Sequence, residues 1–211
     1  PEVRAIIQAD NFLIKSQKDL AGKGDKKETL FHSQRMTNLG YLLAKRQNFS
    51  DEEIKYFVET CLEHDIGKIG LPLKFITKPF GKFDIIKDLR VVQRHAVMGY
   101  RYLKHEGRSP RVCNPILVHH EFQELPYPDT NAYMLKLMEE MEDVDVDNGR
   151  LLAMVDVFDT LRFGRPSVKI VPLVPEQAEK TLLKQFSQSG DEEIISFLMS
   201  QYEKIKDLSG S

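Results

Sequence analysis

Five of the six histidines in this chain lie on or beside the apolar faces of predicted helices, where side chains point toward a core. They are His32, His64, His95, His119 and His120. Three carboxylates, Glu28, Asp65 and Asp156, occupy comparable positions. Burying so many polar groups without partners costs several kcal/mol, and a bound cation removes that cost. The pattern therefore predicts a buried metal centre.

Helical spacing supports this reading for two of the predicted helices. Glu28, His32 and Met36 follow one another at intervals of four residues, so both polar groups continue an apolar stripe. Asp65 stands seven residues after Val58 on the apolar face of the next helix. We expect the polar side chains on these faces to converge.

Each of these residues, taken alone, also has an ordinary explanation. A single histidine on an apolar face is more often a hydrogen-bonded core residue than a metal ligand. Glu28 suits the first turn of a helix through the helix dipole, and Asp156 can bond a neighbouring backbone group. The metal hypothesis rests on the convergence of all eight groups, and eight donors exceed what one ion of four to six ligands uses. We therefore expect two or more ions.

The same residues belong to an ordered set of motifs that resembles a known family. In chain order the motifs are Glu28 with His32, His64-Asp65-Ile66-Gly67-Lys68, Lys78-Pro79 before His95 and Gly99, His119-His120-Glu121, Val155-Asp156-Val157-Phe158-Asp159, and Arg165-Pro166. This set resembles the HD superfamily of metal-dependent phosphohydrolases, and within it the HD-GYP branch of bacterial cyclic-di-GMP phosphodiesterases. The resemblance covers about residues 28–170.

One loop departs from that family. Where HD-GYP proteins have Asp-Gly, a spacer and Gly-Tyr-Pro, this chain has Glu124-Leu125-Pro126-Tyr127-Pro128, which is one residue shorter and lacks both glycines. Proline in place of glycine removes an N–H donor and fixes φ. We expect this loop to adopt a conformation of its own.

The resemblance implies a role for each matching residue. The implied metal ligands are Glu28, His32, His64, Asp65, His95, His119, His120 and Asp156. Asp65 matches the carboxylate that bridges two ions, and Glu28 matches the residue that permits a third. Lys68 and Arg165 match the residues that hold the substrate phosphate, and Asp65 and Lys68 are the implied catalytic residues. The implied cofactors are two or three divalent transition-metal ions, Fe or Mn before Zn, Ni or Co.

The implied activity is hydrolysis of a nucleotide phosphodiester, with cyclic-di-GMP or a related nucleotide as substrate. Two ions about 3.5 to 4 Å apart convert a shared water into hydroxide near neutral pH and clamp the attacking and leaving oxygens. The ammonium of Lys68 would then meet the negative charge that accumulates on the phosphoryl oxygens. Two alternatives stay open: an HD-fold di-iron oxygenase, and a non-hydrolytic nucleotide-binding signalling module.

Composition excludes several other classes of protein. The 30 basic and 32 acidic side chains give a net charge of -2, which argues against binding to a DNA or RNA duplex. The sequence has neither the apolar run of a membrane span nor the order of a signal peptide. Cys61 and Cys113 lack close cysteine partners, which favours reduced thiols in the cytoplasm. Because the chain begins at Pro1 rather than Met, a longer parent protein with a sensor or regulatory domain is expected.

The elements that must position these residues are predicted to be helices throughout. Apolar residues recur at helical spacing, so the fold class is all-α, with an N-terminal helix and linker over residues 1–27 and the HD-GYP-like domain, a helical bundle with a buried multi-metal site, over residues 28–211. Ser50 and Glu53 form a predicted capping box that opens a helix ending at Gly67. Further helices are predicted near residues 84–106, 131–142, 149–163, 175–187 and 191–206.

Overall fold

The computed structural model describes residues 28–72, 74, 88–122, 132–165 and 170–206. The predicted N-terminal helix and the loop at residues 124–128 lie outside the described residues, and so do Lys78, Pro79 and Pro166.

Within the described residues the chain forms eight α-helices and one 3-10 helix. In order, α1 spans Glu28–Arg46, α2 Asp51–Glu63, the 3-10 helix Ile66–Gly70, α3 Asp88–His105, α4 Pro110–Val118, α5 Ala132–Glu139, α6 Asp143–Phe163, α7 Pro175–Gln185 and α8 Asp191–Ile205. The β-structure in these ranges is one isolated antiparallel bridge between Arg165 and Ile170. The predicted all-α class is therefore confirmed. Among the helices described, none is long and apolar enough to cross a bilayer.

Helix α6 lies at the centre of the bundle. It packs against α1 and α4, which precede it in the chain, and against α7 and α8, which follow it. Its Phe158 and Met154 are fully buried, together with Met36 and Leu39 of α1 and Leu117 of α4. Burying side chains of this size stabilises the fold by about 1.5–3 kcal/mol each. This core fixes the relative positions of α1, α4 and α6.

The capping box predicted at the start of α2 is present. The Glu53 backbone N–H donates to Ser50 Oγ over 3.3 Å, and the Ser50 N–H donates to Glu53 Oε2 over 2.8 Å. These two bonds satisfy N–H groups that have no partner inside the helix. The beginning of α2 is thus fixed by local sequence.

The end of α2 differs from the prediction. The α-helix ends at Glu63 rather than at Gly67, the chain turns at His64 and Asp65, and it continues as the 3-10 helix. Gly67 serves a different purpose, because a Cβ atom there would lie 1.9 Å from the backbone oxygen of His95. The absence of a side chain lets the 3-10 helix lie directly on α3. The turn and this close contact bring Asp65 to His95.

The start of α6 also differs from the prediction. The helix begins at Asp143, six residues before the predicted start at Gly149. Asp143 and Asp145 lie in its first turn, where the helix dipole favours negative charge. Gly149 is an interior helix residue, and a Cβ atom there would lie 2.4 Å from Val118 Cγ2. It permits close packing of α4 on α6.

Candidate metal centre

The predicted ligands with described side chains meet in one buried cluster. His32 lies on α1, His95 on α3 and Asp156 on α6, while the other four occupy the turns that follow α2 and α4: His64, Asp65, His119 and His120. All seven are buried. The side chain of Glu28 lies outside what the structure describes, and its role as a ligand stays a prediction.

Asp65 is the centre of this cluster. Its carboxylate oxygens lie 3.4 Å from His95 Nε2, 3.6 Å from His64 Nε2 and 3.9 Å from His32 Nε2. The three imidazoles come from separate parts of the chain. A carboxylate in this position can offer an oxygen to a metal ion on each of two sides, as a bridging ligand requires.

The ligand atoms divide into two groups around Asp65. One consists of His32, His64 and Asp65, and the other of His95, His119 and His120. Within each group the ligand atoms lie within 4.8 Å of one another. Nε2 of His32 is 3.1 Å from Nε2 of His64, and Nε2 of His120 is 3.2 Å from Nε2 of His95. Each group has the size of a single ion site.

Hydrogen bonds at Nδ1 fix which nitrogen of each imidazole can bind a metal. His64, His95 and His119 each donate the Nδ1 proton to the carbonyl oxygen three residues earlier, over 2.9, 2.7 and 2.7 Å respectively. A neutral imidazole that donates through Nδ1 carries its lone pair on Nε2. All three lone pairs therefore point into the cluster.

The nitrogen lone pairs of the cluster fit a cation. Nε2 of His119 is buried without a hydrogen-bond partner. Nδ1 of His32 donates to Asp159 Oδ2, so the 3.1 Å contact between His32 and His64 brings two lone pairs together. Converging lone pairs repel each other unless a cation or a proton lies between them. Imidazole and carboxylate donors without thiolates are the ligands that Fe, Mn, Zn, Ni and Co accept.

The ionisation of the cluster also suits metal binding. Burial lowers the pKa of His64, His95 and His119 to about 4, so these imidazoles are neutral at pH 7 and keep their lone pairs. Burial by itself raises the pKa of Asp65, but Lys68 and the neighbouring groups outweigh it and hold that pKa well below its usual range. The pKa of Asp156 is likewise well below its usual range despite burial, because the His32 imidazole and the Arg165 guanidinium lie beside its carboxylate. Both carboxylates are anionic at pH 7.

Two cationic side chains border the ligands. Lys68, on the 3-10 helix, donates from Nζ to Asp65 Oδ2 over 2.5 Å and is 9% exposed. Nη2 of Arg165 lies 2.9 Å from His32 Nε2 and 3.3 Å from Asp156 Oδ1. Lys68 is therefore a buried residue of the site and not an exposed loop lysine. Both predicted phosphate-binding residues lie at the cluster.

Two residues of the site were missed in the sequence. Asp159 was recognised only as the last residue of the motif that begins at Val155, and Arg35 was not singled out. In the structure the Asp159 carboxylate accepts hydrogen bonds from both His32 and Arg35. A signal was present, because Arg35 follows His32 by three residues and Asp159 follows Asp156 by three, which places each pair on one helix face.

The family profile of the HD domain matches residues 29–161. The chain belongs to the HD domain family. The match includes every predicted ligand with a described side chain, from His32 to Asp156.

Two curated relatives of this HD domain are phosphodiesterases. The chain is 32% identical over 136 residues to a cyclic di-GMP phosphodiesterase response regulator of Xanthomonas campestris. The aligned region covers 63% of this chain and 33% of the relative. It is 29% identical over 147 residues to a 3'3'-cGAMP-specific phosphodiesterase of Vibrio cholerae. That aligned region covers 69% of this chain and 29% of the relative. The chain therefore spans about a third of the length of these relatives.

A solved structure has the same fold. The HD domain of the phosphodiesterase PgpH from L. monocytogenes, in complex with cyclic-di-AMP, superposes with a TM-score of 0.59 at 16% identity. The superposition covers 93% of this chain and 96% of that one. At this identity the similarity establishes the fold.

Proposed function

We propose that this HD domain hydrolyses a phosphodiester bond of a cyclic dinucleotide, with cyclic-di-GMP or a related nucleotide as substrate. One observation carries the proposal: imidazole lone pairs and two anionic carboxylates converge in a buried cluster that also holds Lys68 and Arg165. Buried imidazole and carboxylate donors beside two cationic side chains match the charges of a metal-dependent phosphate site.

The ligand residues would hold two or three divalent ions, with Fe or Mn as the preferred metals. His32, His64 and Asp65 would bind one ion, and the group of His95, His119 and His120 would bind another. When bound, such ions supply Lewis-acid activation of water and neutralise charge on the phosphoryl oxygens. The residues of the chain contribute the burial and the fixed orientation that keep the ligands in place.

Lys68 and Arg165 would bind the phosphate. Their cationic groups contact Asp65 and Asp156, so a phosphate that reaches these carboxylates meets both cations. Neither cation has a lone pair to offer a metal. The guanidinium of Arg165 can bind two phosphate oxygens at once, whereas the ammonium of Lys68 acts as a compact point charge. Both contacts strengthen as negative charge develops on the phosphate.

The relatives support the choice of substrate class. Two named phosphodiesterases act on cyclic di-GMP and 3'3'-cGAMP, and the PgpH HD domain binds cyclic-di-AMP. These ligands share two 3',5'-linked phosphates in one ring. The two relatives are about three times as long as the matched region, which supports a sensor or regulatory domain in the parent protein. Their named substrates support a place in cytoplasmic nucleotide signalling.

A substrate screen tests the proposal. The protein is loaded anaerobically with Mn²⁺ or Fe²⁺ and incubated with cyclic-di-GMP, 3'3'-cGAMP or cyclic-di-AMP, and the products are separated by chromatography. We expect a linear dinucleotide or mononucleotides from at least one substrate, with equal yields under nitrogen and air, and none after chelation. Binding without cleavage of all three would mark a non-hydrolytic module, and turnover that needs oxygen would mark an oxygenase.

A further inference from the structure

His32 is oriented by a buried pair of charged side chains, Asp159 and Arg35. His32 donates from Nδ1 to Asp159 Oδ2 over 2.6 Å. Arg35 donates to both oxygens of the same carboxylate, from Nε over 2.6 Å and from Nη2 over 2.8 Å. Exposed fractions are 1% for His32, 6% for Arg35 and 1% for Asp159. The carboxylate therefore has little contact with water and depends on these two partners.

This arrangement differs from that of three other imidazoles in the cluster. His64, His95 and His119 donate from Nδ1 to backbone carbonyl oxygens of their own turns, and no side-chain substitution removes those acceptors. His32 donates to a side chain from another helix. A hydrogen bond to a carboxylate is stronger than one to a carbonyl, and it increases the basicity of the opposite ring nitrogen.

The pair also aligns two helices at the metal centre. His32 and Arg35 are one turn apart on α1, and Asp156 and Asp159 are one turn apart on α6. His32 Nε2 lies 3.2 Å from Asp156 Oδ1, while Arg35 binds Asp159. One turn of α1 thus carries the predicted ligand His32, and one turn of α6 carries the predicted ligand Asp156. The hydrogen bond from His32 to Asp159 joins these two turns.

The C-terminal part of the bundle supports the pair. The Arg35 guanidinium lies 4.4 Å from the centroid of the Phe163 ring, an arrangement typical of a cation–π contact. The Phe163 ring lies 5.2 Å from that of Tyr202 on α8. Arg35 is therefore held on both sides, by the carboxylate and by an aromatic face.

We propose that Asp159 and Arg35 are positioning residues that fix the tautomer and orientation of His32, and so set the affinity of the ion that His32, His64 and Asp65 bind. The inference rests on the proposed metal-dependent function. Asp159 belongs to neither group of potential ligand atoms, and it acts through the imidazole. Substitution of the carboxylate behind a metal-binding histidine lowers metal affinity by about 10–100-fold.

The test compares Asp159→Asn with a matched control, Asp191→Asn. Asp191 is 0% exposed and forms an ion pair with Arg150 on α6, but it contacts no histidine in the described structure. Both substitutions remove a buried negative charge from beside an arginine, so both weaken the fold in a similar way. The affinity and stoichiometry of Mn²⁺ binding to each purified protein are measured by equilibrium dialysis and elemental analysis.

We expect Asp159→Asn to bind Mn²⁺ at least tenfold more weakly at one site, and Asp191→Asn to keep the parental affinity within about threefold. Equal affinities in the two variants would overturn the inference. Arg35→Lys provides a second measurement, since it keeps the positive charge but not the fork that grips both oxygens. We expect it to bind Mn²⁺ less tightly than Asp191→Asn, and parental affinity in Arg35→Lys would overturn the inference even if Asp159→Asn does not fold.

The outcomes also separate this inference from the proposed function. If the parental protein binds Mn²⁺ and hydrolyses cyclic dinucleotides while the Asp159→Asn variant keeps the parental Mn²⁺ affinity, the inference alone is overturned. If the parental protein binds Mn²⁺ but hydrolyses no cyclic dinucleotide, while the Asp159→Asn variant binds Mn²⁺ more weakly, the proposed function alone is overturned. A parental protein that binds no Mn²⁺ overturns both.

Discussion

Adding a single methyl group at Gly67 should displace the metal centre. A Cβ atom there would lie 1.9 Å from the His95 backbone oxygen and 2.6 Å from the Gly99 nitrogen. The first distance must increase to at least 3.0 Å, so the 3-10 helix and α3 must separate by about 1.1 Å. Backbone atoms in two packed helices cannot rotate away as a side chain can.

The displacement acts on both stability and catalysis. Overpacking of this kind costs about 1–3 kcal/mol. Asp65 and Lys68 flank Gly67 and His95 lies across the contact, so the ligands move relative to one another. A misplacement of about 1 Å at a reacting centre reduces turnover by roughly a hundredfold. We expect Gly67→Ala to lower turnover about a hundredfold and to lower the unfolding temperature.

Gly70→Ala is the matched control, because it lies in the same 3-10 helix. Its Cβ atom would meet Met98 Cε at 2.2 Å, and this atom is the end of a flexible side chain that can move. The assay is steady-state hydrolysis by metal-loaded protein, together with thermal unfolding of each variant. Parental turnover in Gly67→Ala, or an equal loss in both variants, would refute the reasoning.

Three further predictions concern charge at the site. Asp65→Asn should abolish metal-dependent hydrolysis and keep a helical circular dichroism spectrum, because Asn keeps the volume but not the anion; parental turnover and metal content would exclude Asp65 as a bridging ligand. Lys68→Ala should keep the metal, as elemental analysis would show, and its turnover should fall by roughly a hundredfold to a thousandfold. Lys68→Arg should recover part of that turnover. Parental turnover in Lys68→Ala would count against phosphate binding by this residue. Because burial lowers the pKa of His64, His95 and His119 from 6.5 to about 4, the unfolded chain binds more protons than the folded one between these values. The metal-free protein should therefore lose about 5 kcal/mol of stability between pH 7 and pH 5 in urea unfolding, and a constant free energy of unfolding would contradict this.

The convergence of the predicted ligands was predictable because helical periodicity determines which residues share a face. The four-residue interval between Glu28 and His32 and the seven-residue interval between Val58 and Asp65 placed polar groups on apolar stripes. The structure brings His32 and Asp65 together, with Nε2 3.9 Å from Oδ2. The capping box at Ser50 was predictable for a similar reason, since it depends on residues three apart.

The rest depends on contacts between distant parts of the chain. Gly67 has the sequence signal of a helix end, and only the proximity of α3 reveals it as a point of close packing. Asp159 has the position of a core residue on α6, and its role depends on Arg35, which lies 124 residues earlier. The sequence predicts a helix start at Gly149, and nothing local shows that Val118 lies against this residue. Tertiary packing determines each of these roles.

The most direct test of the central claim is a titration of hydrolysis against bound metal. Protein freed of metal is loaded anaerobically with increasing Mn²⁺ or Fe²⁺, and bound metal per chain is measured beside the rate of cyclic-di-GMP cleavage. The account predicts at least two ions per chain and cleavage that rises as the second ion binds. Full cleavage with one ion per chain, or cleavage by metal-free protein, would contradict it.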